Sequence, residues 1–138
     1  MTVLYPSLVF DCDVPVAPVP KARPRVSNGR AYTPKRTKAS EAIIASYVRS
    51  KYRGEIRTEP MGIKLICIHK RPKNLKGDGR VPKGTRPDGD NLLKLVLDAC
   101  EGIVYRNDGQ FCQYHVEDWY GKPKEAPHIL LSLYVISW

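Results

Sequence analysis

Residues 86–101 read RPDGDNLLKLVLDACE. Leu92, Leu93, Val96, Leu97 and Cys100 recur at the spacing of one helical face, and the turn Arg86-Pro87-Asp88-Gly89 marks where that helix begins. A helix with one greasy stripe has to bury it, and the flanking sequence supplies a partner. Met61 to His69 (MGIKLICIH) ahead of it and His128 to Ser137 (HILLSLYVIS) behind it are apolar enough on both faces to be interior strands. Cys112 to Tyr120 (CQYHVEDWY) reads as a more polar strand.

Towards the N-terminus, Leu8, Phe10, Cys12, Val14 and Val16 alternate against Val9, Asp11 and Asp13, the pattern of a half-exposed strand. From about Lys35 to Arg53 the pairs Ile43/Tyr47 and Ile44/Val48 sit at helical spacing, with Thr33-Pro34 as a start signal and Gly54 as a stop. The order is therefore β, α, β, α, β, β. It predicts a single α+β domain over 1–138, with a mixed or antiparallel sheet of about four strands and two helices packed on one face. There is no internal repeat, and 138 residues with 42% hydrophobic content suit one core.

Composition narrows the function. Twenty-three Lys+Arg against 14 Asp+Glu leave a net charge of +9, which attracts polyanions, nucleic acid first among them. The cations crowd into two stretches. A basic arm at 18–38 carries Lys21, Arg23, Arg25, Arg30, Lys35, Arg36 and Lys38 among prolines and polar residues. A basic loop at 70–87 carries Lys70, Arg71, Lys73, Lys76, Arg80, Lys83 and Arg86, and its glycines and prolines predict flexibility. Cys12, Cys67, Cys100 and Cys112 are scattered with no C-x-x-C pair, which argues against a zinc or redox centre. No apolar run is long enough for a membrane span, and Met1-Thr2-Val3-Leu4-Tyr5-Pro6 lacks the basic start and apolar core of a signal peptide, so a cytoplasmic setting is expected.

The chemistry concentrates around the helix that opened this reading. Asp88 and Asp90 sit two apart just after the basic loop, where a phosphodiester backbone would lie. Helix capping by Asp90 or Asn91 and an ordinary Asp-Gly turn account for the same residues. Asp108, in Asn107-Asp108-Gly109 past the helix, is a third acid that meets the pair if the chain folds back. Two carboxylates about 4 Å apart repel by about 4 kcal/mol at an effective dielectric of 20, so such a cluster implies a cation. Oxygen ligands select Mg²⁺, with Mn²⁺ as a substitute. Lys94, one turn after Asp90, belongs to a polar stripe with Asn91, Asp98 and Glu101. It makes either an ordinary i,i+4 pair or a phosphate contact beside the metal. His69, His115 and His128 are isolated in sequence, and neither G-x-S-x-G nor a phosphate-cradling loop occurs, which leaves water activated by a metal as the route to hydrolysis.

D-G-D-N-L-L-K-L-V-L-D-A at 88–99, followed by N-D-G-Q at 107–110, resembles the signature of the RusA family of Holliday junction resolvases, an acidic D-x-D-N-x-x-K-x-x-x-D core followed by D-D-x-Q. P-V-P-K-A-R-P-R at 18–25 and G-R-A-Y-T-P at 29–34 look like the arm of its phage-type members, so the likeness runs from about Phe10 to Trp138. The resemblance implies that Asp88, Asp90 and Asp108 bind metal, that Lys94 is the essential basic residue, and that Asp98 and Asn91 support them. Asn107 departs from the pattern where the family has its first acid, which leaves Asp108 as the metal-binding position.

The family implies a homodimer that cuts four-way DNA junctions symmetrically in recombination and repair. Lys21, Arg23, Arg25, Lys70, Arg71, Lys73, Lys76 and Arg86 are the expected phosphate contacts. Two other readings stay open on the residues alone: a non-catalytic basic nucleic-acid-binding module, and a metal-dependent nuclease acting on flaps, single strands or RNA. Glu117 and Asp118 are further acids, either of which could face the metal site or lie on a solvated strand.

Overall fold

The structure, a computed structural model, describes residues 1–18, 25–27, 29–32, 35–84 and 89–138; at 25–27, 30–32, 35–37 and 89–90 it describes the backbone. Along the chain run β1 (Tyr5–Val14), β2 (Arg25–Ser27), β3 (Arg30–Tyr32), α1 (Lys35–Lys51), β4 (Met61–His69), β5 (Val81–Pro82), α2 (Gly89–Cys100), β6 (Phe111–Tyr120) and β7 (His128–Ser137). The fold is α+β, and the main sheet has five strands in the order β1-β7-β4-β6-β5.

Strand alternation decides what is buried. Phe10, Cys12 and Val14 of β1, Met61, Ile63, Leu65 and Cys67 of β4, and Ile129, Leu131 and Leu133 of β7 share one core with Ile44 and Val48 of α1 and Leu92, Leu95, Val96 and Cys100 of α2. Lys64, His115 and Asp11, which alternate with such residues, are exposed. Leu8 begins the alternation in sequence yet is exposed, because the β1–β7 register shifts between Leu8 and Phe10 and ends the inward series there.

The sheet exceeds the expected four strands because Val81 and Pro82, inside the basic loop, pair with Tyr120 and Trp119. So short a strand at a sheet edge tolerates proline and has no periodicity to read. Within the basic arm, β2 and β3 form a separate two-stranded ribbon, with Gly29 at φ +74 in the turn between them. β4 and β6 are parallel whereas β1–β7, β4–β7 and β5–β6 are antiparallel. α2 is therefore the crossover of a β4-α2-β6 unit. Its far end is fastened by Tyr105, which is fully buried and donates its hydroxyl to the Leu97 carbonyl. Burial pushes that phenol up and keeps it a donor.

Two polar clusters shape the loops at the other end. Nη1 of Arg71 donates to the carbonyls of Gly79 (2.7 Å) and Gly121 (3.0 Å), and Nη2 to those of Lys76 (3.0 Å) and Gly77 (2.9 Å). The segment expected to be flexible is thus wrapped round a guanidinium. Nearby, His128 bridges Asp13 (2.8 Å) and Glu125 (2.9 Å), and Glu125 also takes Arg80 at 2.6 Å.

Charge-assisted bonds contribute about 1.5–3 kcal/mol each, so Arg71→Met is expected to speed amide exchange within 72–80 by at least about tenfold. Exchange mapped by mass spectrometry checks this; unchanged protection there would show that Arg71 does not hold the loop.

Burial alone would lower His128, but its bonds to Glu125 and Asp13 outweigh that and raise it above 6.5. Arg80, with His128, holds Glu125 well below its usual 4.5. The histidine's contribution is full below about pH 6.5 and fades as pH rises through its raised folded value; the glutamate's is full above about 4.5 and fades in acid. The urea midpoint of the wild type should therefore fall between pH 6 and pH 8.5 by more than that of His128→Gln.

Candidate active site

Parallel strands joined by a helix present their carboxyl ends and the helix N-terminus at one edge, and ligands of open α/β sheets bind there. In this chain that edge carries the ends of β4 and β6, the loop 70–84 and the first turn of α2. Lys83, six residues before Gly89, donates its amide to the Asp118 carbonyl at 2.9 Å, which fastens the end of loop 70–84 against the end of β6.

Around the α2 axis, positions 90, 91, 94 and 98 fall within about 100° of one another at 3.6 residues per turn. Asn91 and Lys94 are exposed and Asp98 is half-buried and partnered. The expected polar stripe is therefore present, opposite buried Leu92, Leu95 and Val96. The backbone of Asp90 lies in the first turn of α2. Asp88 and Arg86 lie outside the described residues, as do Lys21 and Arg23, and of Arg25 the backbone alone is described, in β2.

Asp108 stands elsewhere. It opens a single 3-10 turn, Asp108–Gln110, just before β6, and its amide donates to Glu101 Oε1 at 3.0 Å. The ten residue steps from Asp90 to Cys100 span about 15 Å along the helix, so Asp108 is at the finishing end of α2 while Asp90 is at its start. The chain folds back after the helix at its finishing end, a helix length from the first turn that carries the Asp90 backbone.

The rest of the N-D-G-Q stretch is architectural. Asn107 Oδ1 accepts from Gly109 N, and Gln110 Oε1 accepts from the amides of Arg106 and Asn107. Gln110 Nε2 donates to the carbonyls of Arg57 and Glu59, pinning the turn to the segment that enters β4. Asn107, the departure from the family pattern, thus serves as a cap.

Among the expected phosphate contacts, Lys70, Lys73 and Lys76 are exposed along this edge, while Arg71 is committed to its four carbonyls. Arg80 is paired with Glu125, and Lys83 lies 6.0 Å from the Tyr120 ring centre. Glu117 and Asp118 point to opposite faces of β6. Glu117 binds His115 and Trp119, and those bonds hold its carboxyl below the usual range. Asp118 faces the helices and binds His69 at 2.8 Å. Sequence reasoning paired His69 with nothing, because its partner is 49 residues away and no local spacing announces it.

Among the described residues no group of three or more His, Cys, Asp and Glu side chains converges as a metal site. The carboxylate oxygens of Asp88 and Asp90 are hard donors of the kind Mg²⁺ takes. No described helix is long and apolar enough to cross a membrane.

Comparison with known proteins gives two findings. The chain is similar to the uncharacterized protein YqaN of Bacillus subtilis (strain 168), 29% identical over 134 residues that cover 87% of this chain and 92% of that protein. The family model described as endodeoxyribonuclease RusA matches residues 15–129, most of the chain and all of the β4-α2-β6 unit. With the helix-borne acid and lysine and the basic edge beside them, this chain belongs to the RusA endodeoxyribonuclease family.

Proposed function

We propose that the chain is a Mg²⁺-dependent resolvase of four-way (Holliday) DNA junctions, acting as a cytoplasmic homodimer in DNA recombination and repair, with a phage-type origin. The observation that carries the reading is the meeting, at one edge, of the first turn of α2 with the exposed lysines of loop 70–84. Family membership supports the nuclease chemistry. Asp88 and Asp90 hold the ion, with Mn²⁺ as a substitute. When bound, Mg²⁺ supplies positive charge that offsets the charge gathering on the attacking and leaving oxygens. Lys94, one turn along the same stripe, neutralises the phosphate, and Asn91 and Asp98 support it. Lys70, Lys73, Lys76 and Arg86, with Lys21, Arg23 and Arg25 of the arm, grip the DNA backbone through contacts that weaken with salt.

Asp108 enters through the dimer. It stands a helix length from Asp90 of its own chain, so in this reading the third acid of each site comes from the other copy.

Asp90→Asn should abolish cleavage of a labelled four-way junction in Mg²⁺ while binding in Ca²⁺ stays near wild type. Full cleavage by that variant would remove the assignment. Wild-type protein that shifts the junction but cuts no DNA in Mg²⁺ would favour a binding module instead; cuts on single strands, flaps or RNA but not on the junction would make it a different nuclease.

Co-expressed Asp90→Asn and Asp108→Asn chains should regain nicking, because a mixed dimer then holds one intact site. Mixed dimers as inactive as either parent would place Asp108 outside the partner's site.

A further inference from the structure

A second group of chemistry-bearing side chains occupies the same edge as the start of α2. His69 closes β4, Asp118 lies two residues before the end of β6, and His69 Nε2 is 2.8 Å from Asp118 Oδ1. Their side chains are 12% and 14% exposed. Alternation puts both under the helices: His69 is two residues past buried Cys67, and Asp118 two past Val116, which packs against the core. The Lys83 amide on the Asp118 carbonyl brings the end of loop 70–84 to the same place.

Holding the strand ends together does not require this pair. β4 and β6 are already in register at nine positions, and the Gly121 amide closes the end on the His69 carbonyl at 2.9 Å. Removing a histidine and an aspartate from water costs more than packing two apolar residues there. What a carboxylate does for a neutral imidazole is fix its tautomer. Asp118 accepts from Nε2–H and leaves Nδ1 as the nitrogen with a lone pair. Glu117, the other acid of this strand, is on the opposite face and already engaged by His115 and Trp119.

We propose that His69 is the proton acceptor for hydrolysis at this edge and that Asp118 is its positioning residue. The proposal rests on the nuclease reading above. Nδ1 takes a proton from a water whose oxygen bonds to phosphorus. The bond from phosphorus to the leaving sugar oxygen breaks, its electron pair staying on that oxygen, which takes a proton from solvent. Nδ1 then returns its own proton to solvent.

The test compares wild type with His69→Gln, His69→Ala, Asp118→Asn and, as a control on the other face, His115→Gln. Single-turnover junction cleavage in Mg²⁺, junction binding in Ca²⁺ and the urea midpoint are measured for each. His69→Gln keeps an N–H for Asp118 but is no base; it should fold and bind as wild type and cleave about 10²–10⁴-fold more slowly. Asp118→Asn should lose about 10–100-fold. Added imidazole should speed His69→Ala, and His115→Gln should cleave normally. His69→Gln cutting at the wild-type rate overturns the proposal, and so does a slow His69→Ala that imidazole leaves unchanged. Wild type that cuts no junction defeats the parent reading, whereas wild type and His69→Gln cutting alike defeats the dyad alone.

Discussion

Two strands that lie side by side and run the same way cannot be closed by a hairpin, so the chain between β4 and β6 has to cross the sheet, and α2 is that crossing. The crossing is favourable because Leu92, Leu95 and Val96 disappear into the core, each contributing about 1.5–3 kcal/mol. It also makes the two ends of the helix unlike. One faces the strand termini, the lysine-bearing loop and the His69–Asp118 pair. The other is locked by Tyr105, Asn107 and Gln110, where side chains serve the backbone. A helix fixed by its apolar face along its length and by the Tyr105 bond to Leu97 near its finishing end presents its polar stripe at a constant orientation.

Charge follows the same division. Two described carboxylates are neutralised where they stand, Glu59 by Arg57 and Glu125 by Arg80, while Asp13, Glu117 and Asp118 are hydrogen-bonded to histidines. Among the described residues, exposed lysines gather around the strand ends, Lys70, Lys73, Lys76, Lys122 and Lys124 among them. An excess of exposed positive charge on one edge makes a long-range field that salt screens within about 8–10 Å, suited to collecting a polyanion before any specific contact forms.

The long elements were legible in the sequence because each has a face to bury. The alternation in β1, the interior strands β4 and β7 and the stripe of α2 come through as expected, as does the placement of both helices on one side. β5 was hidden by its two-residue length, and the β2–β3 ribbon by its cationic composition. Of the candidate site, the shared helical face of Asp90, Asn91 and Lys94 could be read because helical spacing relates them directly. Asp108 could not be placed, since whether a chain returns to the near or the far end of a helix depends on the direction of the next strand. The His69–Asp118 pair and the Arg71 hub are long-range or backbone-directed, and neither leaves a periodic trace.

That hub has a consequence for how the basic edge can change. Arg71 reads carbonyls, and every residue has one, whatever its side chain. Gly77, at φ +101, is the position in the loop tied to a residue type by its conformation. Lys73 and Lys76 can therefore be exchanged without disturbing the path of the chain. The loop works as a mount whose charge is adjustable while its shape stays put, so the potential it projects can drift over evolutionary time independently of the fold that supports it.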